Sequence, residues 1–506
     1  MATPDYSLEA MQLRRDAQYI YFENKYICWR HNAATGALDG AFVRYGSNSN
    51  LLVKPVETVI QLMDQETCLT YNLERQEGAV VKADGDTIVT EYLLAARGDE
   101  VKIRHEVVYK PWGSGLHAVT ISAGKRVNNL FSVQLCSTAF APAMDQFTWR
   151  PTLEAGLGTW AQNNTPTWIP LNSGARRQDM YIAHKRLPLC FMVIQRGVEG
   201  IEFALGDNLE EWQAFRPENM LPSPQMEFGY DTKLKGYRTF VSPYHGREDG
   251  FIEGEHTFHF NMTLPFVREK MSPLRPGGHF FPIGKPFEER WPDEEFTAAR
   301  AEAGMDLFRL HNDGDRYGNG IFWRDAAYPP YPADEMEKMD AAIALTHKYN
   351  MKVVPYFSVK ELHPDVEDFG KYGEEWARRD EPNGYLRVNR SSGTRIFGYQ
   401  MCLKSGWMKK RIDTIREVLE NHAFDGIYYD WCCGLECFGK NHCGYWHWDN
   451  DEFMELLNET RNICGREKEM YLHTSHVISL GSENLATLLL TEEAEFPRIG
   501  PEMFTP

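Results

Sequence analysis

Apolar residues follow two rhythms along the chain. Up to about residue 266 hydrophobic and polar positions alternate in short runs rich in β-branched and aromatic side chains. QYIYFENKYICWRHN (18–32), DTIVTEYLLAA (86–96), EVKIRHEVVYK (100–110), GLHAVTISAG (115–124) and EHTFHFNMTLPF (255–266) are the clearest. A period of two over such residues predicts half-buried strands. ATGALDG and YGSNSN between them are turn chemistry. This half shows only short pieces of helical period, so an all-β domain is expected, and its length fits a large sandwich.

After Pro265 the rhythm changes. KMSPLRPGGHFFPIGKP is rich in Pro and Gly, which puts a boundary near 268–280 and gives expected domains of 1–267 and 268–506. Beyond it strands alternate with helices. HFFPIG (279–284) precedes the helical DEEFTAARAEAG (293–304), and DLFRLH (306–311) precedes ADEMEKMDAAIALTHKYN (333–350). KVVPYFS (352–358) leads through a polar insertion to GWMKKRIDTIREVLENHA (406–423), and FDGIYYDW (424–431) precedes NDEFMELLNETRNICG (450–465). EMYLHTS (469–475) and ATLLLTEEAEF (486–496) come last. Such alternation predicts a parallel sheet covered by helices. Its natural form is a (β/α)8 barrel of the TIM type. Residues 279–506 supply six strands, so the barrel is expected to be irregular, completed by unrecognised segments, or incomplete at the C-terminus. A doubly wound open sheet is the alternative, but no G-x-G-x-x-G follows the first strand.

Composition narrows the function classes. The 506 residues are 42% hydrophobic and 25% charged, which are globular values, and the formal net charge of −18 argues against a nucleic-acid partner. No run of 18 apolar residues occurs, so no membrane span is expected. MATPDYSLEAMQLRRDAQ has no apolar core of a signal peptide, which predicts a cytoplasmic location unless a leader precedes the chain. The ten Cys form no regular framework and fit reduced, cytosolic usage better than a disulfide scaffold.

In parallel barrels the chemistry sits at the C-terminal ends of strands. The stretch FDGIYYDWCC closes the fourth predicted strand on Asp430, beside Tyr428, Tyr429 and Trp431. A carboxylate there can act as a nucleophile or an electrostatic stabiliser; the plainer reading is a hydrogen-bond acceptor at a strand end. Asp425, at the strand's start, reads as a turn residue of the opposite face. Glycoside hydrolysis needs a second carboxyl group across the scissile bond. TEEAE in the sixth strand supplies Glu492, Glu493 and Glu495. Glu493 is the first choice of acid/base and Glu492 the second, against the plainer reading of a solvated strand end. Substrate-binding candidates are His311 and Asp313 after the second strand, Tyr356 and Lys360 at the third, His473 at the fifth, and Glu495. Trp431 and Trp446 are candidate stacking surfaces for a sugar ring.

CCGLECFGKNHCGYWHW holds Cys432, Cys433, Cys437, His442, Cys443 and His447 within 16 residues. These are zinc-ligand types. No C-x-x-C pair repeats, so tight packing of small buried residues is preferred, and no metal or other cofactor is expected. No H-E-x-x-H, P-loop, nucleophile elbow or EF-hand loop occurs.

Two stretches resemble known families. YFENKYICWRHNAATGALDGAFVRYGSNSNLL resembles the first strands of the galactose-mutarotase-like super-sandwich domains that precede many glycosidase barrels. QMCLKSGWMKKRIDTIREVLENHAFDGIYYDWCCGLECFGKNHCGYWHWD (400–449) resembles the middle of a group of glycoside-hydrolase-like (β/α)8 barrels. Their pattern is M-C-x-x-S/T-x-W, a helix, D-G-I/V-Y-x-D, then a Cys/Asn/His-Gly loop. The group is similar in outline to the α-galactosidase and α-glucosidase clan. The resemblance implies a retaining mechanism with a strand-four Asp as nucleophile and a strand-six carboxylate as acid/base. Asp430 matches the first position. The sixth-strand glutamates match the second by element, where the clan usually has Asp. Tyr428 stands where the clan carries Lys. The expectation is thus a retaining glycoside hydrolase acting on an oligo- or polysaccharide, with no nucleic-acid or membrane partner and the oligomeric state left open. Two alternatives stand beside it: a non-catalytic carbohydrate-binding protein with a degenerate barrel, and a zinc-dependent hydrolase using the Cys/His loop.

Overall fold

The computed structural model describes residues 6–141, 146–151, 169–170, 178–180, 190–208, 211–212, 225–231, 233, 236–266, 272–280, 289, 291–310, 333–362, 364, 366–379, 388–391, 395–430, 432–473 and 479–490. Among the described residues nineteen strands between Gln12 and Thr263 form one antiparallel assembly. It opens with a meander of Gln12–Arg15, Tyr19–Glu23, Ile27–Asn32 and Leu38–Val43. Two long strands, Ser114–Phe140 and Tyr244–Thr263, run side by side as its spine. The alternating apolar positions of these strands, among them Phe22, Trp29, Val119, Ile121, Phe258 and Phe260, fill one core. That is the period-two pattern turned inward.

The second part is parallel. Its strands are β1 (Pro276–Phe280), β2 (Leu307–Leu310), β3 (Lys352–Ser358), β4 (Gly426–Asp430), β5 (Glu469–His473) and β6 (Leu488–Leu490). Each pairs in parallel with the next, so spatial order equals chain order. The connections carry α1 (Glu294–Glu302), α2 (Ala333–Lys348), α3 (Glu367–Trp376), α4 (Trp407–Asn421), α5 (Asn450–Cys464) and α6 (Leu480–Leu485). The polar insertion between β3 and β4 folds as a small antiparallel sheet of Glu361–Leu362, Val388–Ser391 and Arg395–Gln400, flanking α3.

Both faces of the parallel sheet are covered, which is why its strands read as continuous apolar runs. Phe308, Val353, Phe357, Ile427, Tyr429 and Leu472 pack with helix residues such as Ile415 and Leu457. The alternate positions Leu307, Val354, Tyr356, Tyr428 and Tyr471 meet one another on the other face, with Leu488 and Leu490 against them. Gly426 opens β4 at φ +153, where an added Cβ would lie 2.0 Å from the Glu469 carbonyl oxygen. Only glycine lets β4 pass that close to β5. Among the described residues no pairing joins β6 back to β1. Among the described residues the parallel sheet has six strands, the number the sequence supplies, and closure into a (β/α)8 barrel is not shown.

Polar groups and apolar loop residues stitch the two parts together. The Asn484 amide donates to the carbonyls of Trp112 (2.7 Å) and Leu264 (2.8 Å) and accepts from the Phe266 N–H (2.7 Å). Lys404 Nζ bridges Asp207 (2.8 Å) and Glu452 (2.7 Å). Cys433, Leu435 and Trp448, from the loop after β4, belong to the antiparallel core. Among the described residues no helix is long and apolar enough to cross a membrane.

Candidate functional site

The parallel register sets Tyr356, Tyr428 and Tyr471 side by side on the face opposite the one that packs with Ile415 and Leu457. Two residues further along each strand the same face carries Ser358, Asp430 and His473, at the C-terminal ends. Asp430 Oδ2 accepts a hydrogen bond from the Tyr356 hydroxyl at 2.8 Å. Its Oδ1 lies 2.8 Å from His473 Nδ1, an ion-pair distance. The carboxylate is thus hydrogen-bonded at Oδ2 and faces the imidazole at Oδ1; its side chain keeps 15% of its surface exposed while that of His473 keeps 5%.

The floor beneath is aromatic and cationic. Tyr428 lies 5.6 Å from Tyr356, 5.1 Å from Tyr471 and 6.3 Å from the His473 ring, centroid to centroid. Burial first, and then the negative charge of Asp430, push the Tyr428 phenol well above its usual pKa, so it stays protonated. The Arg309 guanidinium sits 4.5 Å above the Tyr428 ring centroid. A positioned carboxylate on such a floor can serve as a nucleophile or stabilise a developing positive charge.

The other sequence candidates are placed differently. Lys360 is not beside Asp430; it is fully buried and paired with Asp449 (2.7 and 2.6 Å to the two oxygens). Trp446 stacks on Phe438 at 5.3 Å with ring planes 5° apart, donates to Glu436 Oε1 at 2.8 Å, and packs on the antiparallel core. Asp425, at the opposite end of β4, accepts from the Val353 N–H (2.8 Å) and meets His347 Nε2 (2.9 Å), the turn-side role expected of it. Trp431, His311, Asp313, Glu492, Glu493 and Glu495 lie outside the described residues.

Three contributors escaped the sequence reading. Arg309 reads as one polar residue in an apolar strand. Asp449 precedes α5 and reads as a helix cap, but makes no side-chain cap bond there. Cys402 joins a second group: its Sγ, the Cys437 Sγ, and one ring nitrogen each of His442 and His447 all lie within 4.8 Å of one another. The expected packing role fits Cys432 and Cys433, whose thiols burial pushes up in pKa. It does not describe this group. The M-C-x-x-S run ahead of α4 is the only sequence signal for Cys402.

Residues 319–480 match a protein family described as Domain of unknown function (DUF6259). No curated protein matches the chain. Among solved structures, the chain is similar to the galactosidase domain of alpha-galactosidase-sucrose kinase AgaSK, at 10% identity and a TM-score of 0.43, covering 95% of this chain and 75% of that one. It is similar to the GH36 alpha-galactosidase AgaB from Geobacillus stearothermophilus at 12% identity and TM-score 0.42, covering 96% and 75%. It is also similar to the alpha-galactosidase from Lactobacillus brevis at 8% identity and TM-score 0.42, covering 95% and 72%.

Proposed function

We propose that the chain is a glycoside hydrolase in which Asp430 is the nucleophile of a retaining, two-carboxylate mechanism. One observation carries the reading: a partly exposed carboxylate at the C-terminal end of β4, hydrogen-bonded by Tyr356 and beside His473 over a buried tyrosine floor. Strand ends of this kind are where parallel α/β enzymes keep their reacting groups. The hydroxyl of Tyr356 stabilises the anion and fixes its rotamer, so a lone pair is aimed before substrate arrives. Attack on the anomeric carbon forms a glycosyl ester and expels the leaving group. A second acid protonates that group, then deprotonates the water that cleaves the ester. In this reading the six parallel strands are part of a (β/α)8 barrel whose mouth is the sugar site.

The second acid is proposed among the sixth-strand glutamates. Leu488 and Leu490 pack on the Tyr428 face, whereas Leu489 packs on the helix side. Glu493 is the first glutamate to replace and Glu492 the second.

The test is hydrolysis of aryl α-galactosides and α-glucosides, with matching oligosaccharides, by wild type and by Asp430→Asn. Turnover is expected to fall on the order of 10³-fold or more in Asp430→Asn, with sugar binding by calorimetry retained. Equal turnover in Asp430→Asn would overturn the assignment. A wild type that binds sugar but cleaves none of the panel would favour the non-catalytic alternative.

A further inference from the structure

A cluster of thiols and imidazoles lies outside the Asp430 group. Cys437 and His447 face each other in a short antiparallel pairing of Glu436–Cys437 with His447–Trp448. His442 lies in the turn between them, and Cys402 arrives from the segment before α4. Cys402 Sγ is 3.1 Å from His447 Nε2, and Cys437 Sγ is 3.6 Å from His442 Nε2. A tetrahedral zinc with bonds of about 2.3 Å to sulfur and about 2.0–2.1 Å to nitrogen separates its ligand atoms by roughly 3.3–3.8 Å. The cluster is close to that size before any ion draws it together.

The surroundings prepare each ligand atom. Nδ1 of His442 lies 3.0 Å from the Glu375 carbonyl oxygen, and Nδ1 of His447 lies 2.9 Å from that of Tyr445. Each Nδ1–H donates there, which leaves the Nε2 lone pair for a metal. The Cys437 sulfur accepts backbone N–H bonds from Arg379 (3.4 Å) and Gly439 (3.3 Å), the donors a thiolate needs. Gly439 makes this turn at φ +57, and a Cβ there would meet the Tyr445 carbonyl oxygen at 2.5 Å. Cys402, Cys437 and His447 are fully buried. Cys443 does not belong to the set, because its sulfur lies 3.0 Å from Nδ1 of His447, the nitrogen on the far side of the ring.

We propose that Cys402, Cys437, His442 and His447 hold one tetrahedral zinc ion. Two thiolates with two imidazoles in a tetrahedron select zinc over oxygen-seeking cations. All four positions are filled by the protein, so no place is left for water or substrate, and the ion is structural rather than hydrolytic. It staples the loop after β4 to the entrance of α4. The neighbouring Asn441 amide nitrogen, 2.8 Å from the Glu374 carbonyl and 2.7 Å from that of Ala377, carries the staple to the end of α3.

The experiment is metal analysis of full-length protein purified without a metal-affinity step and dialysed against metal-free buffer. About one zinc per chain is expected in wild type and in Cys443→Ser, and a small fraction of that in Cys402→Ser and His447→Ala. Wild type reconstituted with Co2+ provides a reading that does not depend on the variants folding. It should show intense visible bands of a tetrahedral site together with thiolate-to-cobalt charge transfer. A weak octahedral spectrum, zinc retained in Cys402→Ser, or a Cys402–Cys437 disulfide in non-reducing peptide maps of the purified protein would overturn the proposal.

Discussion

Lys360 and Asp449, 89 residues apart, form an ion pair from which water is excluded, with side chains 0% and 1% exposed. The Asp449 carboxylate also accepts the backbone N–H groups of Leu403 (3.0 Å) and Leu435 (2.6 Å). One buried carboxylate thus fixes the residue just after β3, the entrance to α4 and the loop after β4. Removing one charge strands the other in a dry site, which typically costs about 3–5 kcal/mol. Lys360→Met is therefore expected to lower the melting temperature sharply, and Lys360→Met/Asp449→Asn to recover part of the loss. Differential scanning calorimetry checks this, and an unchanged midpoint in the single variant contradicts it.

The seam between the two parts should respond to pH through Asp451. Its Oδ1 accepts from Asn261 at 2.6 Å. Burial, then the neighbouring charges of Glu452 and Asp207, raise its pKa from 3.8 to about 7, with Lys404 opposing. A carboxyl whose folded pKa lies above its unfolded value holds its proton longer in the folded state. The penalty is absent below about pH 4, grows between about pH 4 and 7, and is complete above. Asp451→Asn should match wild type near pH 4 and be more stable at pH 8, by on the order of 1–3 kcal/mol. Melting temperatures across that range provide the check; a gap that shrinks with rising pH would reverse the sign.

Two glycines make opposite predictions. Gly426→Ala drives a Cβ into the Glu469 backbone, so it should destabilise by more than about 3 kcal/mol or prevent folding. Gly370, inside α3, has nothing within 4 Å of an added Cβ. Gly370→Ala should stabilise by about 0.5–1 kcal/mol through helix propensity. Thermal melts of the two variants against wild type decide both.

What could be read from the sequence follows from how locally each feature is encoded. The strands β2 to β5 lie within the apolar runs that predict them, because burial on both faces leaves an unbroken hydrophobic signature. Asp430 stood out because an acid ending such a run breaks its pattern. The strand Ser114–Phe140 was legible only as far as about residue 124. The polar KRVNN interrupts the apolar alternation, but the chain continues through register shifts between Ala123 and Leu130. A bulge and a turn use the same residues. The Lys360–Asp449 pair and the approach of Cys402 to His447 span 89 and 45 residues, and no local period encodes either. Trp446 reads as a candidate sugar platform because it is an aromatic in a polar loop; in the structure its ring stacks on Phe438.

The most direct test of Asp430 as nucleophile is covalent trapping. Wild-type protein is treated with activated fluorinated glycosides of the galacto and gluco series, which let a glycosyl ester form but slow its hydrolysis, and is then mapped by mass spectrometry. A single glycosyl adduct on the peptide containing Asp430, absent from Asp430→Asn, is the predicted result. An adduct on any other carboxylate, or steady turnover of ordinary glycosides with inversion at the anomeric carbon, would contradict it.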